Sequence, residues 1–196
     1  ALLHALLVLA ITTILSMVGT DLFADRALKI GIETAATETL NVNVSIDELS
    51  LAVLTGRVDI KNISVDNPPA YQHSKLLELK NTTVKIDVKS LIGKVVHVRQ
   101  IRLDGMTLIL QQRDTSTSNL HDVVKTLRSH AERKALKPGK ALQIDSLEIT
   151  NVTVKAEPPP AAQGKAGTIL FKLPAIHMMN LGGKHFDTAA LTRKII

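Results

Sequence analysis

The sequence contains no cysteine and no tryptophan, and only 2% of its 196 residues are aromatic. The missing thiols exclude disulfide bonds and thiolate metal sites. The scarcity of aromatic rings argues against a platform on which nucleic-acid bases stack. Hydrophobic residues nevertheless make up 45% of the chain, so the core is built from Leu, Ile, Val and Ala, a composition that favours pleated sheets.

Motifs for catalysis and for metal or phosphate binding are also missing. No two of the seven histidines have the close spacing of metal ligands on one helix or strand, and no Gly-Lys pair follows the earlier glycine of a phosphate-binding loop. There is no G-x-S-x-G elbow and no motif that pairs two carboxylates. We therefore expect a protein that is not an enzyme and that uses no metal and no cofactor.

The formal net charge is +6, which by itself would suit a nucleic-acid-binding protein. However, the Lys and Arg residues are spread along the chain and interleaved with Asp and Glu. We expect no nucleic-acid partner, because an anionic lipid surface fits this distribution better.

Residues 1–20 form a long apolar run in which His4 is the only titratable side chain. Twenty helical residues span about 30 Å, the thickness of the hydrocarbon core of a bilayer. The run predicts a single-pass transmembrane anchor. Its apolar side chains include Leu6, Leu9, Ile14 and Leu15. A cleaved signal peptide is the alternative, although its apolar stretch would be shorter and followed by small residues.

The segment 21–40 has apolar residues at helical spacing and predicts a juxtamembrane amphipathic helix. The positions concerned are Leu28, Ile32, Ala35, Ala36 and Leu40. This helix either packs as a lid on the first strands or lies on the membrane surface.

After Asn41 an eight-residue pattern of the form apolar, x, apolar, x, x, apolar, x, apolar occurs four times, beginning at Val44, Val58, Val96 and Leu142. The two central polar residues reverse the parity of the apolar positions, which predicts a bulge or tight bend in each strand. Recurrent bends curve a sheet. We expect a mainly β, α+β fold in which one or two amphipathic helices cover a curved antiparallel or mixed sheet.

Turn residues and periodicity predict the remaining organisation. Hairpins are expected at Thr55-Gly56, at Leu103-Asp104-Gly105 and at Ile149-Thr150-Asn151. A helix is expected over 119–134. We divide the body into a first β-rich unit at 41–136 and a second at 137–196, which ends in the start of a C-terminal helix near Ala189.

Val84, Ile86 and Val88 alternate with polar residues, a pattern typical of a strand with one aliphatic face. We interpret this face as part of a trough that shields acyl chains. Its candidate residues are Val84, Ile86, Val88, Met106, Leu108 and Leu110. The alternative is that they fill an ordinary core against the helix at 119–134. Candidates for binding lipid headgroups on that helix are Lys125, Arg128, Arg133 and Lys134, which could equally form a solvated helix face.

Five motifs carry a similarity to a known family: Leu54-Thr55-Gly56-Arg57-Val58, Val65-Asp66-Asn67-Pro68, Val84-Lys85-Ile86-Asp87-Val88-Lys89-Ser90-Leu91, Ile101-Arg102-Leu103-Asp104-Gly105 and Ser118-Asn119-Leu120. With the leading apolar span, their order resembles the bacterial AsmA-like proteins. The resemblance implies a short member of that family, anchored by a single pass in the bacterial inner membrane, with its main domain in the periplasm.

The resemblance also implies a function, because long members are thought to carry lipids along an apolar groove. We expect a lipid-handling or envelope-maintenance module with membrane lipids as partners. The alternative is a structural accessory subunit whose partners are other subunits of a membrane complex or further copies of the chain.

Overall fold

A computed structural model describes residues 24–113, 117–134, 140–157 and 167–182. Two α-helices occur in this part of the chain, α1 at Ala24–Leu40 and α2 at Asn119–Lys134, with a short 3-10 helix at Val88–Ile92. The strands are β1 Val44–Ala52, β2 Arg57–Asp66, β3 Lys75–Ile86, β4 Val95–Gln111, β5 Ala141–Thr150, β6 Val152–Glu157, β7 Ile169–Leu173 and β8 Ile176–Gly182. The prediction of a mainly β fold with a few helices is confirmed.

All eight strands belong to one mixed, open sheet. Six of them follow the order β1-β2-β3-β4-β5-β8, while β6 pairs with β4 and β7 pairs with β6. Strands β1 to β4 are antiparallel neighbours. Strand β4 is long enough to pair in parallel with β5 along its first part and with β6 along its last part. A parallel pair needs a crossover, and α2 supplies it between β4 and β5. Strands β7 and β8 then pair antiparallel with β6 and β5.

The four copies of the eight-residue pattern all lie in strands, namely β1, β2, β4 and β5. In β2, Ile60 and Val65 are buried while Lys61 and Asn62 between them are exposed. Asn62 has a positive φ of 51°, which turns the strand so that apolar residues on both sides of it reach the same face. The parity reversal in the sequence therefore keeps one face of a bent strand aliphatic.

Two of the three predicted hairpins are wrong. Gly105 lies inside the continuous strand β4. Asn151 lies between β5 and β6, and both of these strands pair in parallel with β4 in one unbroken register. Each is a single residue with positive φ, 74° for Gly105 and 53° for Asn151, which bends a strand without reversing it. The turn at Thr55-Gly56 does join the antiparallel strands β1 and β2, as predicted.

Three of the residues with positive φ, Asn62, Gly105 and Asn151, share one row across the sheet. Asn62 of β2 lies opposite Lys80 of β3, which lies opposite Gly105 of β4, which lies opposite Asn151. We call these four residues the crease. Gly105 has a φ of 74°, which glycine adopts without strain, and a Cβ there would stand 2.9 Å from the side chain of Lys80, so glycine fits both the backbone conformation and the space at the crease. Bends aligned in this way curve the whole sheet rather than one strand.

Helix α1 covers both the aliphatic face of the sheet and the free edge of β1. Its apolar stripe joins the core through Leu28, Ile32, Ala36 and Leu40, which are all buried. Four polar side chains spaced one helical turn apart bond the backbone of β1. These contacts join Asp25 Oδ1 to Leu51 N (2.9 Å), Lys29 Nζ to Asp47 O (3.1 Å), Glu33 Oε1 to Ile46 N (2.6 Å) and Thr37 Oγ1 to Val44 N (3.0 Å). The edge is thus closed to pairing with another strand.

None of the helices in the described ranges is both long and apolar enough to cross a bilayer. The anchor predicted for residues 1–20 and the helix predicted near Ala189 lie outside the described residues.

Candidate functional site

The sheet has one polar and one aliphatic face. On the polar face, charged side chains pair across strands, as in Lys61 with Glu48 at 2.6 Å and Arg102 with Glu148 at 2.7 Å. An open cleft of about 870 Å³ on this face is lined mostly by polar and charged residues such as Lys80 and Asp104, and also by Val152, Leu173 and Ala175. Such a surface is satisfied by water and by its own ion pairs, so it is not suited to acyl chains.

The crease places a hydrogen-bonded carboxylate on this polar face. Asp104 accepts from the hydroxyl of Thr150 at 2.7 Å and from the amide of Asn151 at 2.6 Å. These two bonds hold the pKa of Asp104 below its ordinary value of 3.8. The charged form of Asp104 therefore joins β4 to the junction between β5 and β6 at the bend.

On the aliphatic face, rows of side chains run from the covered core to an exposed strand. One row is Leu77, Leu108, Val154 and Phe171, and the next is Leu79, Met106, Val152 and Leu173. The β3 and β6 members of both rows are buried, and the β4 members are half-buried. At β7 the exposed fraction rises to 46% for Phe171 and 44% for Leu173. The aliphatic face thus continues past the part that is packed beneath the helices.

Strand β7 has apolar side chains at every position except Lys172. Ile169, Phe171 and Leu173 continue the aliphatic face, and we call these three residues the edge strip. Leu170 points to the opposite face and is also exposed. Within the described ranges, β7 pairs with β6 alone. The edge strip therefore joins exposed apolar side chains to an unpaired backbone edge, a combination typical of binding surfaces.

The six predicted trough residues do not share one environment. Val84 and Ile86 are buried in the core, and Met106 and Leu108 pack against it as partly buried residues. Leu110 is half-buried near the end of β4. Val88 does not continue the alternating strand as predicted, because β3 ends at Ile86 and Val88 begins the 3-10 helix. That these residues contact lipid stays a prediction.

The predicted headgroup residues lie on α2. Lys125 and Arg128 are exposed, and neither forms an ion pair with a described residue. Arg133 and Lys134 belong to the last turn of the same helix. Their binding to headgroups also stays a prediction. The anchor residues Leu6, Leu9, Ile14 and Leu15 lie outside the described residues.

A buried polar network, which the sequence pattern did not predict, joins the loop after β2 to the start of α2. Asn119 is fully buried and donates to Asn67 Oδ1 at 2.8 Å and to Ile109 O at 2.7 Å, while its own Oδ1 accepts from Gln111 N at 3.0 Å. Asn67 and Asn119 come from two of the motifs quoted above. Their occurrence in those motifs was the one feature of the sequence that could have drawn attention to them. The hydrogen bond between Asn119 and Asn67 shows that they fix the position of α2.

The network ends at the carboxylate of Glu157. Burial raises the pKa of Glu157, but hydrogen bonds from Gln111 (2.9 Å) and His73 (2.6 Å) outweigh it and leave the pKa below its ordinary value of 4.5. Across the described ranges, no group of three or more His, Asp or Glu side chains is placed to hold a metal ion. The network is a structural joint between the loop, β4, α2 and β6.

Comparison with known proteins bears on the whole arrangement. A search of curated proteins finds no match. The model of the AsmA family matches residues 1–158, a range that includes both helices, the crease and every strand up to β6. Since this range is well over half of the 196 residues, the chain belongs to the AsmA family.

Proposed function

We propose that this protein is a non-enzymatic, membrane-anchored module of the bacterial envelope that handles lipids with the aliphatic face of its sheet. Membership of the AsmA family suggests an envelope or lipid-related role. The finer proposal is that acyl chains contact the face at the edge strip. It also holds that residues 1–20 anchor the chain in the inner membrane and that the body lies in the periplasm.

The observation that carries the proposal is the continuity between the core face and the edge strip. The rows through Leu108 and Val154 reach Phe171 without a change of register, so an acyl chain lying along β7 would extend an existing aliphatic surface. The strip spans about 14 Å from Ile169 to Leu173 at the usual rise of a strand. Each methylene removed from water against it contributes about 0.8 kcal/mol.

Site-specific photocrosslinking tests this proposal. The photoreactive residue p-benzoylphenylalanine replaces Phe171 in one variant and Leu170 in another, and the full chain is irradiated in membranes. Both positions are exposed on the same strand, but they face opposite sides of the sheet. We expect phospholipid adducts by mass spectrometry at position 171 and few at position 170. Equal yields at the two positions, or no lipid adduct at either, would overturn the proposal.

The anchor and the location can be tested separately. We expect the full chain to remain in the membrane pellet after alkaline extraction. A single cysteine at Gln72, in the exposed loop between β2 and β3, should react with a membrane-impermeant maleimide added to intact spheroplasts. Because the native chain has no cysteine, the label reports that site alone. Labelling only after lysis would contradict a periplasmic body.

A second function, a structural accessory subunit, is favoured by the unpaired backbone of β7. An exposed strand edge can accept a strand from another protein, with main-chain hydrogen bonds providing the affinity. In that case the crosslinker at Phe171 would give protein adducts instead of lipid adducts. Gentle detergent extraction, sizing and mass spectrometry would then identify a stoichiometric subunit or a second copy of the chain.

A further inference from the structure

One end of the sheet carries two exposed aliphatic tips that lie on neighbouring loops. Leu54 in the turn between β1 and β2 is 99% exposed, and Ile92 at the end of the 3-10 helix is 92% exposed. The loops are in contact, since Ile86 N donates to Gly56 O at 2.8 Å and Gly56 packs beside Val88. Single exposed aliphatic residues are common on protein surfaces, but two tips at one end need a physical reason.

Positive charge surrounds the tips. Lys89, Lys94 and Lys140 are exposed at this end, and Lys140 donates to the carbonyl oxygen of Leu91. Neither Lys89 nor Lys94 pairs with a carboxylate among the described residues. The acidic groups nearby already have partners, since Asp59 pairs with Arg57 and Asp87 with Arg99. The end therefore presents unpaired ammonium groups beside apolar tips, as in proteins that bind anionic membrane surfaces.

Helix α1 begins at the same end. Its first turn is fixed there by the bond from Leu51 N to Asp25 Oδ1, only three residues before Leu54. The segment that precedes α1 in the chain therefore joins the body beside the tips. If residues 1–20 cross the bilayer as proposed, only residues 21–23 separate that span from α1, so this end must face the membrane closely.

The opposite end of the sheet has a different character. The loop between β2 and β3 is held by the network of Asn67 and Gln111, and its exposed positions include Gln72 and His73. No large hydrophobic side chain in this loop is among the strongly exposed ones of the described ranges. The loop thus lacks the aliphatic tips and the unpaired lysines of the first end, as expected if only the first end inserts into the bilayer; the exposed apolar residues nearest the loop belong to the edge strip of β7.

We infer that Leu54 and Ile92 insert into the interfacial layer of the bilayer, while Lys89 and Lys94 bind anionic phospholipid headgroups. The inference rests on the membrane anchor of the proposed function and adds a second, orienting contact to it. It orients the sheet with the β1–β2 turn at the membrane surface and the β2–β3 loop at the end away from the surface.

Single-cysteine spin labels test the inference in the full chain, which has no native cysteine. The variants are Leu54→Cys, Ile92→Cys and the control Gln72→Cys, each reconstituted in vesicles of phosphatidylcholine with or without phosphatidylglycerol. We expect the labels at 54 and 92 to be accessible to lipid-dissolved oxygen and protected from a water-soluble nickel complex. The label at 72 should show the reverse. Tip labels that behave like the label at 72 in both kinds of vesicle would overturn the inference.

The double variant Lys89→Gln/Lys94→Gln tests the headgroup contact. We expect the ratio of inserted to withdrawn tip labels to fall about fivefold per lysine in anionic vesicles and to change little in neutral ones. An unchanged ratio in anionic vesicles would refute the role of the lysines. If the chain does not float with the vesicles in a sucrose gradient, the proposed anchor fails. If the chain associates and the tips stay in water, the inference alone fails, as it does if the tips are buried against another protein.

Discussion

Substituting Glu33 by alanine should expose the edge of β1 and destabilise the domain. Glu33 Oε1 accepts the backbone N–H of Ile46 at 2.6 Å, and the side chain is only 23% exposed. Alanine keeps the helix propensity of α1 high. The change also removes the ion pair of Glu33 with Lys29 at 4.0 Å, which contributes only about 0.3 kcal/mol to a helix. The N–H of Ile46, on the side of β1 away from β2, would be left without its partner.

The magnitude follows from the nature of this bond. A hydrogen bond to a charged acceptor contributes about 1.5–3 kcal/mol, and an orphaned backbone donor that stays partly buried costs about as much. We expect a loss of about 2 kcal/mol, which for a domain of this size lowers the melting temperature by about 4–8 °C. Glu33→Gln retains a neutral acceptor and should lose about half as much. Glu38→Ala, at an exposed position of the same helix, should change stability by less than about 0.5 kcal/mol.

Two measurements check this prediction. Thermal unfolding followed by circular dichroism suits a chain without tryptophan, and hydrogen exchange reports the amide of Ile46 directly. We expect the exchange of that amide to accelerate in Glu33→Ala and to stay unchanged in Glu38→Ala. Equal melting temperatures and equal exchange in the two variants would show that the side chains of α1 do not seal the edge.

Three further changes should act at the buried network, the tight turn and the crease. Asn119→Ala removes several buried hydrogen bonds and should cost about 3 kcal/mol in urea unfolding, whereas Asn43→Ala, which loses one exposed bond, should cost less than about 0.5 kcal/mol. Gly56→Ala forces a φ of 66° on alanine and places its Cβ 2.2 Å from a backbone oxygen of β3, so we expect a loss of about 2–4 kcal/mol in the free energy of unfolding. The control is Gly93→Ala, whose Cβ would meet nothing closer than 3.3 Å, and it should be nearly neutral by the same assay. Because the pKa of Asp104 is depressed in the folded state, its contribution to stability is present above its ordinary value of 3.8 and is lost as the pH falls below it. The urea midpoint should therefore fall between about pH 5 and pH 2, and Asp104→Asn should reduce that fall.

The strands could be predicted from the sequence because the spacing of apolar residues within a segment reflects which of its side chains are buried. The octets at Val44, Val58, Val96 and Leu142 are all strands, and the stripe of α1 through Leu28 and Leu40 is buried as the helical spacing predicts. These patterns record which side chains leave water, a property that each segment carries by itself. The same holds for the turn at Thr55-Gly56, whose geometry is local.

The crease was not predictable in the same way. Asp104-Gly105 and Thr150-Asn151 have the composition of hairpin turns, and a residue with positive φ is needed both in such a turn and in a bent strand. Only the pairing partners decide between the two, and those come from distant parts of the sequence: β4 continues because β5 and β6 lie beside it. The edge strip could not be predicted, because an apolar strand such as Ile169–Leu173 has the same composition at the centre of a sheet as at its margin, and only the pairing of β7 with β6 alone places it at the margin.

Because α1 covers the free edge of β1, further strands can be added to the sheet at one of its two edges only. With the hydrogen-bonding groups of β1 occupied by Asp25, Lys29, Glu33 and Thr37, strands cannot be added before it without displacing a helix. In the part of the chain that the structure describes, the far margin carries no such cover, and the aliphatic face already reaches it. Longer sheets can therefore be built from this unit by adding strands at the β7 side alone, with the helix-bearing start left unchanged.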